Sequence, residues 1–131
     1  MHNFFWFVLF VAVNGGFLIL LTANVSRLRI KNRISYGDGD NRDLMRAIRV
    51  HANGTEQVPI FALMVLALAM IGTADMLMGA LVILFTLSRL VHAFGVLYKN
   101  PMARQYGAAV TYLLQIVAVV MLILALLGSW V

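Results

Sequence analysis

The sequence predicts an all-α integral membrane protein, a bundle of four transmembrane helices, and three observations carry that expectation. First, 63% of the 131 residues are hydrophobic and 11% are charged, with a mean hydropathy of +0.92. A soluble domain carries about 45–50% apolar and about 25% charged residues. Second, the apolar residues gather in four runs, about 3–25, 42–72, 76–98 and 103–131, and about 20 such residues span a bilayer as a helix. Third, every Lys and Arg except Arg89 lies in Arg27–Arg49 or Lys99–Arg104, two segments that flank the apolar spans. That is the pattern by which positive charge orients a membrane protein. It argues against a nucleic-acid partner despite the net charge of +5. No stretch outside the apolar runs is long enough to bury a core of its own, so residues 1–131 read as one membrane domain. Cysteine is absent, which excludes disulfides, thiolate metal sites and a cysteine nucleophile.

The first run differs from a signal peptide: no Lys or Arg precedes it, and its apolar stretch is too long for an h-region. It is expected to be a retained helix with its N-terminus outside. Its one strongly polar interior residue, Asn14, adjoins Gly15 and Gly16, which predicts close helix packing with a cross-helix hydrogen bond. The basic loop that follows carries Arg27, Arg29, Lys31 and Arg33, then Gly-Asp-Gly-Asp at 37–40, which is turn chemistry. The later ligands of a calcium loop are missing. The basic residues favour the inner side of the membrane and its anionic headgroups. Arg27 or Arg29, nearest the membrane, also stands within reach of a site there. Asn41 or Asp43 is placed to cap the next helix.

Run two holds the main candidate site. Arg42, Arg46, Arg49, Asn53 and Glu56 are spaced four, three, four and three, so they share one helical stripe. Leu44, Ala47, Ile48, Val50 and Val58 occupy the opposite face, and from Val58 onward the helix is almost wholly apolar. A cationic stripe thus ends in a carboxylate where the chain enters hydrocarbon. Ionisable groups at that depth face a bundle interior or a watery cavity. Pro59 removes the bond to the Thr55 carbonyl and predicts a bend beside Asn53 and Glu56.

A short connection, Gly72–Asp75, makes runs two and three a hairpin. Run three carries Arg89 and His92; run four carries Arg104, Thr111 and Gln115 on one stripe, with Tyr106 and Tyr112 near the inner surface and Trp130 at the outer interface. Four spans place both termini outside and all the basic groups at one inner end. Arg49 to Glu56 covers roughly 10 Å of helix, a match for a small peptide-like ligand bearing carboxylates and an ammonium.

Arg49-x-x-x-Asn53-x-x-Glu56 followed by Pro59 resembles the second-helix signature of the family of membrane-associated proteins in eicosanoid and glutathione metabolism. The four spans, the basic first loop and the Arg89/His92 pair extend the resemblance over essentially the whole chain. It implies a homotrimer of four-helix protomers holding glutathione between neighbours, with an apolar second substrate arriving through the membrane lipid. Arg49, Asn53 and Glu56 map onto glutathione-binding positions; Arg89, His92 and Arg104 fall near site positions, and Arg29 joins the binding set. Members that metabolise eicosanoids carry tyrosine where this chain has Gln57, His92 and Val96. The chain is more similar to the short bacterial branch, so an inner-membrane transferase or peroxidase is expected rather than leukotriene or prostaglandin synthesis.

The expected chemistry follows from charge. A thiol with a pKa of about 8.5 attacks as its thiolate, which nearby positive charge favours, and arginine supplies that charge without giving up its own proton. Arg104 is the expected thiolate stabiliser. Arg49 suits a carboxylate fork, Glu56 the γ-glutamyl ammonium, and Asn53 the peptide backbone. The competing reading is a structural network, such as Glu56 paired with Arg89, in a non-enzymatic accessory subunit or anionic-lipid binder. A carrier is the weakest alternative, since four helices show no repeat. His51 reads as packing, the methionines as core or lipid-facing filler, and His51, Glu56 and His92 lack the clustering of a metal site.

Overall fold

A computed structural model describes residues 2–128, with side chains from residue 4 onward. Four helices follow one another: α1 His2–Asn32, α2 Arg42–Met70, α3 Asp75–Leu97 and α4 Pro101–Leu126. Each is long and apolar enough to cross a membrane, and the protein is an integral membrane protein by that measure. Trp130 lies outside the described residues.

Helix α1 continues past Val25 to Asn32. Loss of hydropathy marks the end of the membrane, not of the helix: 31 residues rise about 46 Å, against a hydrocarbon core of about 30 Å. Arg33 ends α1 with φ +55°, and the Ile34 amide returns to the Arg29 carbonyl at 3.1 Å. The ends of α2 and α3 repeat this closure. Gly72 at φ +79° precedes a Thr73-to-Leu68 bond of 3.1 Å, and Lys99 at φ +59° precedes an Asn100-to-Gly95 bond of 2.8 Å. A left-handed residue followed by a backward bond satisfies carbonyls that the helix end leaves open. The N-termini of α2 and α4 are capped by side chains. Asn41 Oδ1 accepts from the amides of Asp43 and Leu44, and Asn100 Oδ1 accepts from Ala103 with Pro101 in the first turn of α4.

Helix α3 packs along α4 and α1 along α2, while α1 and α4 do not pack against each other among the described residues. The core is aromatic at its centre. Phe61 and Phe85 stack with centroids 3.9 Å apart, and Phe10 leans on both at 5.5 Å. Polar clips join the helices at several levels. Trp6 Nε1 donates to Asp75 at 2.8 Å and Asn14 Nδ2 to Thr86 at 2.9 Å. Gln115 Nε2 donates to Gln57 at 2.8 Å, and His51 meets Thr22 at 2.9 Å. Asn14 is fully buried, and its bond to Thr86 is the cross-helix contact that its place among apolar residues requires. Helix α2 runs through Pro59 without a break.

The α3–α4 hairpin has the closest backbone approach. The space where a Gly95 Cβ would stand is taken by the backbone of Ala103 and Arg104, and that of Gly107 by the backbone of His92. Small residues let membrane helices meet in this way. The consequence is positional: Arg104 is pinned beside the C-terminal end of α3.

Candidate functional site

At the basic end of the bundle a cavity of about 450 Å³ opens between α2, α3 and α4. Its wall is built from Arg46, Arg49 and Asn53 of α2, His92 and Val96 of α3, Lys99 of the connector and Arg104 of α4. The local reasons are those of the fold. Leu44, Ala47 and Val50 are buried, which rotates the opposite stripe of α2 toward the cavity. The tight Tyr98–Asn100 connector and the two glycine contacts bring Arg104 opposite that stripe.

The wall carries four cationic side chains and no carboxylate. Arg46 is partly neutralised by Asp43 at 2.9 Å, the one ion pair among the described residues. Arg49, Lys99 and Arg104 therefore have no carboxylate partner among those residues. Such a group of like charges at a membrane face attracts an anion, and a wall of low dielectric strengthens the attraction.

Behind the wall lies Arg89, only 2% exposed. Its Nη2 donates to Asn53 Oδ1 at 2.6 Å and contacts His92 Nδ1 at 3.4 Å, and its Nη1 reaches Thr111 Oγ1 at 3.4 Å. Ser88 Oγ meets Thr111 Oγ1 at 2.9 Å, and Thr111 also donates to the Gly107 carbonyl at 2.8 Å. Hydroxyl, amide and imidazole groups thus surround the guanidinium. The expected alternative, Glu56 paired with Arg89, does not form within the protomer.

The residues expected at the site divide into three groups. Arg49, Asn53, His92 and Arg104 line one cavity. Arg89 stands behind Asn53 and His92 instead of on the wall. Glu56 is exposed on the outer surface of α2, and Arg29 is occupied elsewhere: its guanidinium donates to the Gly37 carbonyl at 2.7 Å, closing the first loop. Lys99, Ser88 and the two glycines are not among the expected site residues. One signal points to them. In an antiparallel hairpin, residues equidistant from the turn face each other, and Ser88, His92 and Gly95 mirror Thr111, Gly107 and Arg104 about the connector. Among the described residues no group of His, Asp and Glu is placed to hold a metal.

Four helices long and apolar enough to span a membrane, with a cation-lined cavity at one end, define a class: a small integral membrane protein with a polar cavity at one end of its bundle. The chain belongs to the MAPEG family, whose sequence pattern it matches over residues 7–124. It is similar to "Inner membrane protein YecN" of Escherichia coli (strain K12), with 30% identity over 104 residues covering 79% of each chain. The protein of the same name from Escherichia coli O6:H1 (strain CFT073) matches to the same extent.

Proposed function

We propose that this protein is a membrane-bound, glutathione-dependent transferase or peroxidase acting on lipophilic electrophiles. The observation that carries the reading is the cavity wall, with Arg49, Lys99 and Arg104 lacking any carboxylate partner among the described residues. Glutathione brings two carboxylates and, when ionised at sulfur, a third negative charge. The cavity volume of about 450 Å³ falls within the roughly 300–1,000 Å³ of small-molecule sites.

In this reading Arg49 forks onto a carboxylate, Asn53 and His92 donate to the peptide, and Arg104 favours the thiolate. The sulfur then attacks an electrophilic carbon, forming a C–S bond while the leaving group departs or the resulting anion takes a proton. With a peroxide the thiolate attacks one oxygen and breaks the O–O bond, giving a sulfenic acid and an alkoxide that takes a proton to leave as an alcohol. The thiol of a second glutathione then displaces water from the sulfenic acid to form the disulfide. The electrophile enters from the lipid.

The assembly is proposed to be a homotrimer. Glu56 is an exposed carboxylate on a spanning helix, and contact with lipid there is costly. A neighbouring copy removes that contact and lets Glu56 receive the γ-glutamyl ammonium of glutathione bound at the boundary. The basic ends are proposed to face the cytoplasm and both termini the opposite side. The proposed location is the bacterial inner membrane, in keeping with the names of the similar proteins.

Titration of the detergent-purified protein with glutathione tests the reading. Saturable binding is expected, with a bound thiol that ionises at lower pH than free glutathione, followed by thiolate absorbance in the ultraviolet. Arg104→Ala is expected to raise the pKa of the bound thiol while leaving affinity nearly intact. A second reading, an accessory subunit that binds anionic lipid, draws on the exposed Arg27, Lys31, Arg33 and Arg42 at the same end. Binding to anionic vesicles with no response to glutathione would establish it instead.

A further inference from the structure

Arg89 is a poor choice for stability alone. Its guanidinium stays charged, is 2% exposed, has no carboxylate partner among the described residues and leaves its Nε without any partner. Replacing a buried charge by an apolar side chain of similar volume is often neutral or stabilising. A single change, Asn53→Asp, would supply the missing counter-charge at a position whose side-chain oxygen already lies 2.6 Å from Nη2. The chain has the amide there instead, and the geometry gives a reason.

Arginine donates hydrogen bonds and accepts none. The Asn53 atom facing Nη2 must therefore be the oxygen, which turns the two-donor Nδ2 the other way. The His92 atom facing Nη2 is Nδ1 at 3.4 Å. A nitrogen that receives a donor carries no proton, so the neutral ring holds its proton on Nε2. Neither Asn53 Nδ2 nor His92 Nε2 has a hydrogen-bond partner among the described residues, and neither is among the sealed polar atoms. Both residues line the cavity, so both nitrogens are open to it.

We propose that Arg89 is a positioning residue that fixes Asn53 and His92 as N–H donors, so that the polar side-chain wall donates throughout and selects the acceptor-only, anionic end of the ligand. The donors are Arg46, Arg49, Asn53, His92, Lys99 and Arg104. The inference rests on this cavity being the ligand site and specifies which part of the ligand enters it: carboxylate or thiolate, not ammonium. An ammonium meets only donors and like charge there.

Two measurements test the donor wall without glutathione. Ring-nitrogen NMR of ¹⁵N-histidine-labelled protein, with His92 assigned by the signal lost in His92→Gln, is expected to show an unprotonated Nδ1 and a protonated Nε2. Arg89→Met is expected to release that preference into a mixture of tautomers. Inorganic sulfate, an acceptor-only dianion, is expected to bind the parent. Asn53→Asp is expected to raise the thermal midpoint, because it pairs Arg89, and yet to weaken sulfate binding by about tenfold or more, the scale of one charge-assisted bond. A protonated Nδ1 in the parent overturns the proposal, as does an Asn53→Asp variant that binds sulfate as well as the parent. These readouts hold even if Arg89→Met fails to fold. If the parent shows the expected tautomer and binds sulfate but not glutathione, the glutathione reading falls and the donor wall stands.

Discussion

A close contact between helix backbones offers the most demanding test, through Gly107→Ala. A Cβ at this position would stand 2.5 Å from the His92 amide nitrogen, 2.7 Å from its Cα and 2.8 Å from its Cβ. Ordinary contacts between such atoms begin at about 3.5 Å. The obstructing atoms are mostly helix backbone and cannot rotate aside, so α4 must withdraw from α3 by about 1 Å, the shortfall from that contact distance. Overpacking of this kind costs about 1–3 kcal/mol. Alanine recovers about 1 kcal/mol through its helix propensity, leaving a net loss of up to about 2 kcal/mol. The displacement matters more than the stability. Arg104 lies one turn before Gly107 on the same helix, and a misplacement of about 1 Å at a reacting centre can cost about 10²-fold in rate. Gly79→Ala is the matched control. Its Cβ would meet the Trp6 ring at 2.7 Å, near the end of the bundle remote from the cavity, so it strains packing without moving Arg104. Thermal unfolding by circular dichroism should place both variants at or below the parent. Glutathione thiolate formation should fall only in Gly107→Ala. A Gly107→Ala protein that binds and ionises glutathione like the parent would refute the idea that this contact sets the position of Arg104.

Other outcomes follow from single sites. Gly15 is helical with no heavy atom within 4 Å of its missing Cβ, so Gly15→Ala should stabilise the protein by roughly 0.5–1 kcal/mol in a reversible unfolding assay. Arg49→Ala should weaken glutathione binding by about 1.5–3 kcal/mol, measured calorimetrically, and Arg49→Lys should recover only part, because a point charge does not reproduce the fork. A reporter fused after Val131 should be active only on the non-cytoplasmic side; a cytoplasmic signal would reverse the proposed orientation.

Much of this structure was legible in the residues. Four helices follow from four apolar runs, and Asn41 caps α2 because its side chain reaches the free amides beyond it. The stripe Arg49–Asn53 was visible because helical periodicity is a local property. The extent of α1 was not, since a helix emerging into water keeps its own backbone bonds and has no hydropathic edge. Arg29 and Arg49 look alike in sequence, each a cation near the basic end of a long apolar helix. A loop carbonyl at Gly37 occupies the first, while the second lines the cavity. Charge placement alone does not separate these outcomes, because they depend on where a later loop folds back.

By itself, then, the sequence determined the membrane class, the helix count, the gathering of cations at one end and the stripe of α2 that bears polar groups. Each is set by composition or by a period of three to four residues, within one helix. Tertiary structure decided which groups share a cavity and in what state. Gly95 and Gly107 act only through the α4 and α3 backbones they meet, and Arg89 retreats behind the wall because Asn53 and Thr111 arrive from different helices. The protomer likewise leaves Glu56 exposed although it shares the α2 stripe of Arg49 and Asn53, since a stripe on one helix does not say what the neighbouring helices bring opposite each of its turns. Those relations are contacts between distant segments, and no local pattern of residues contains them.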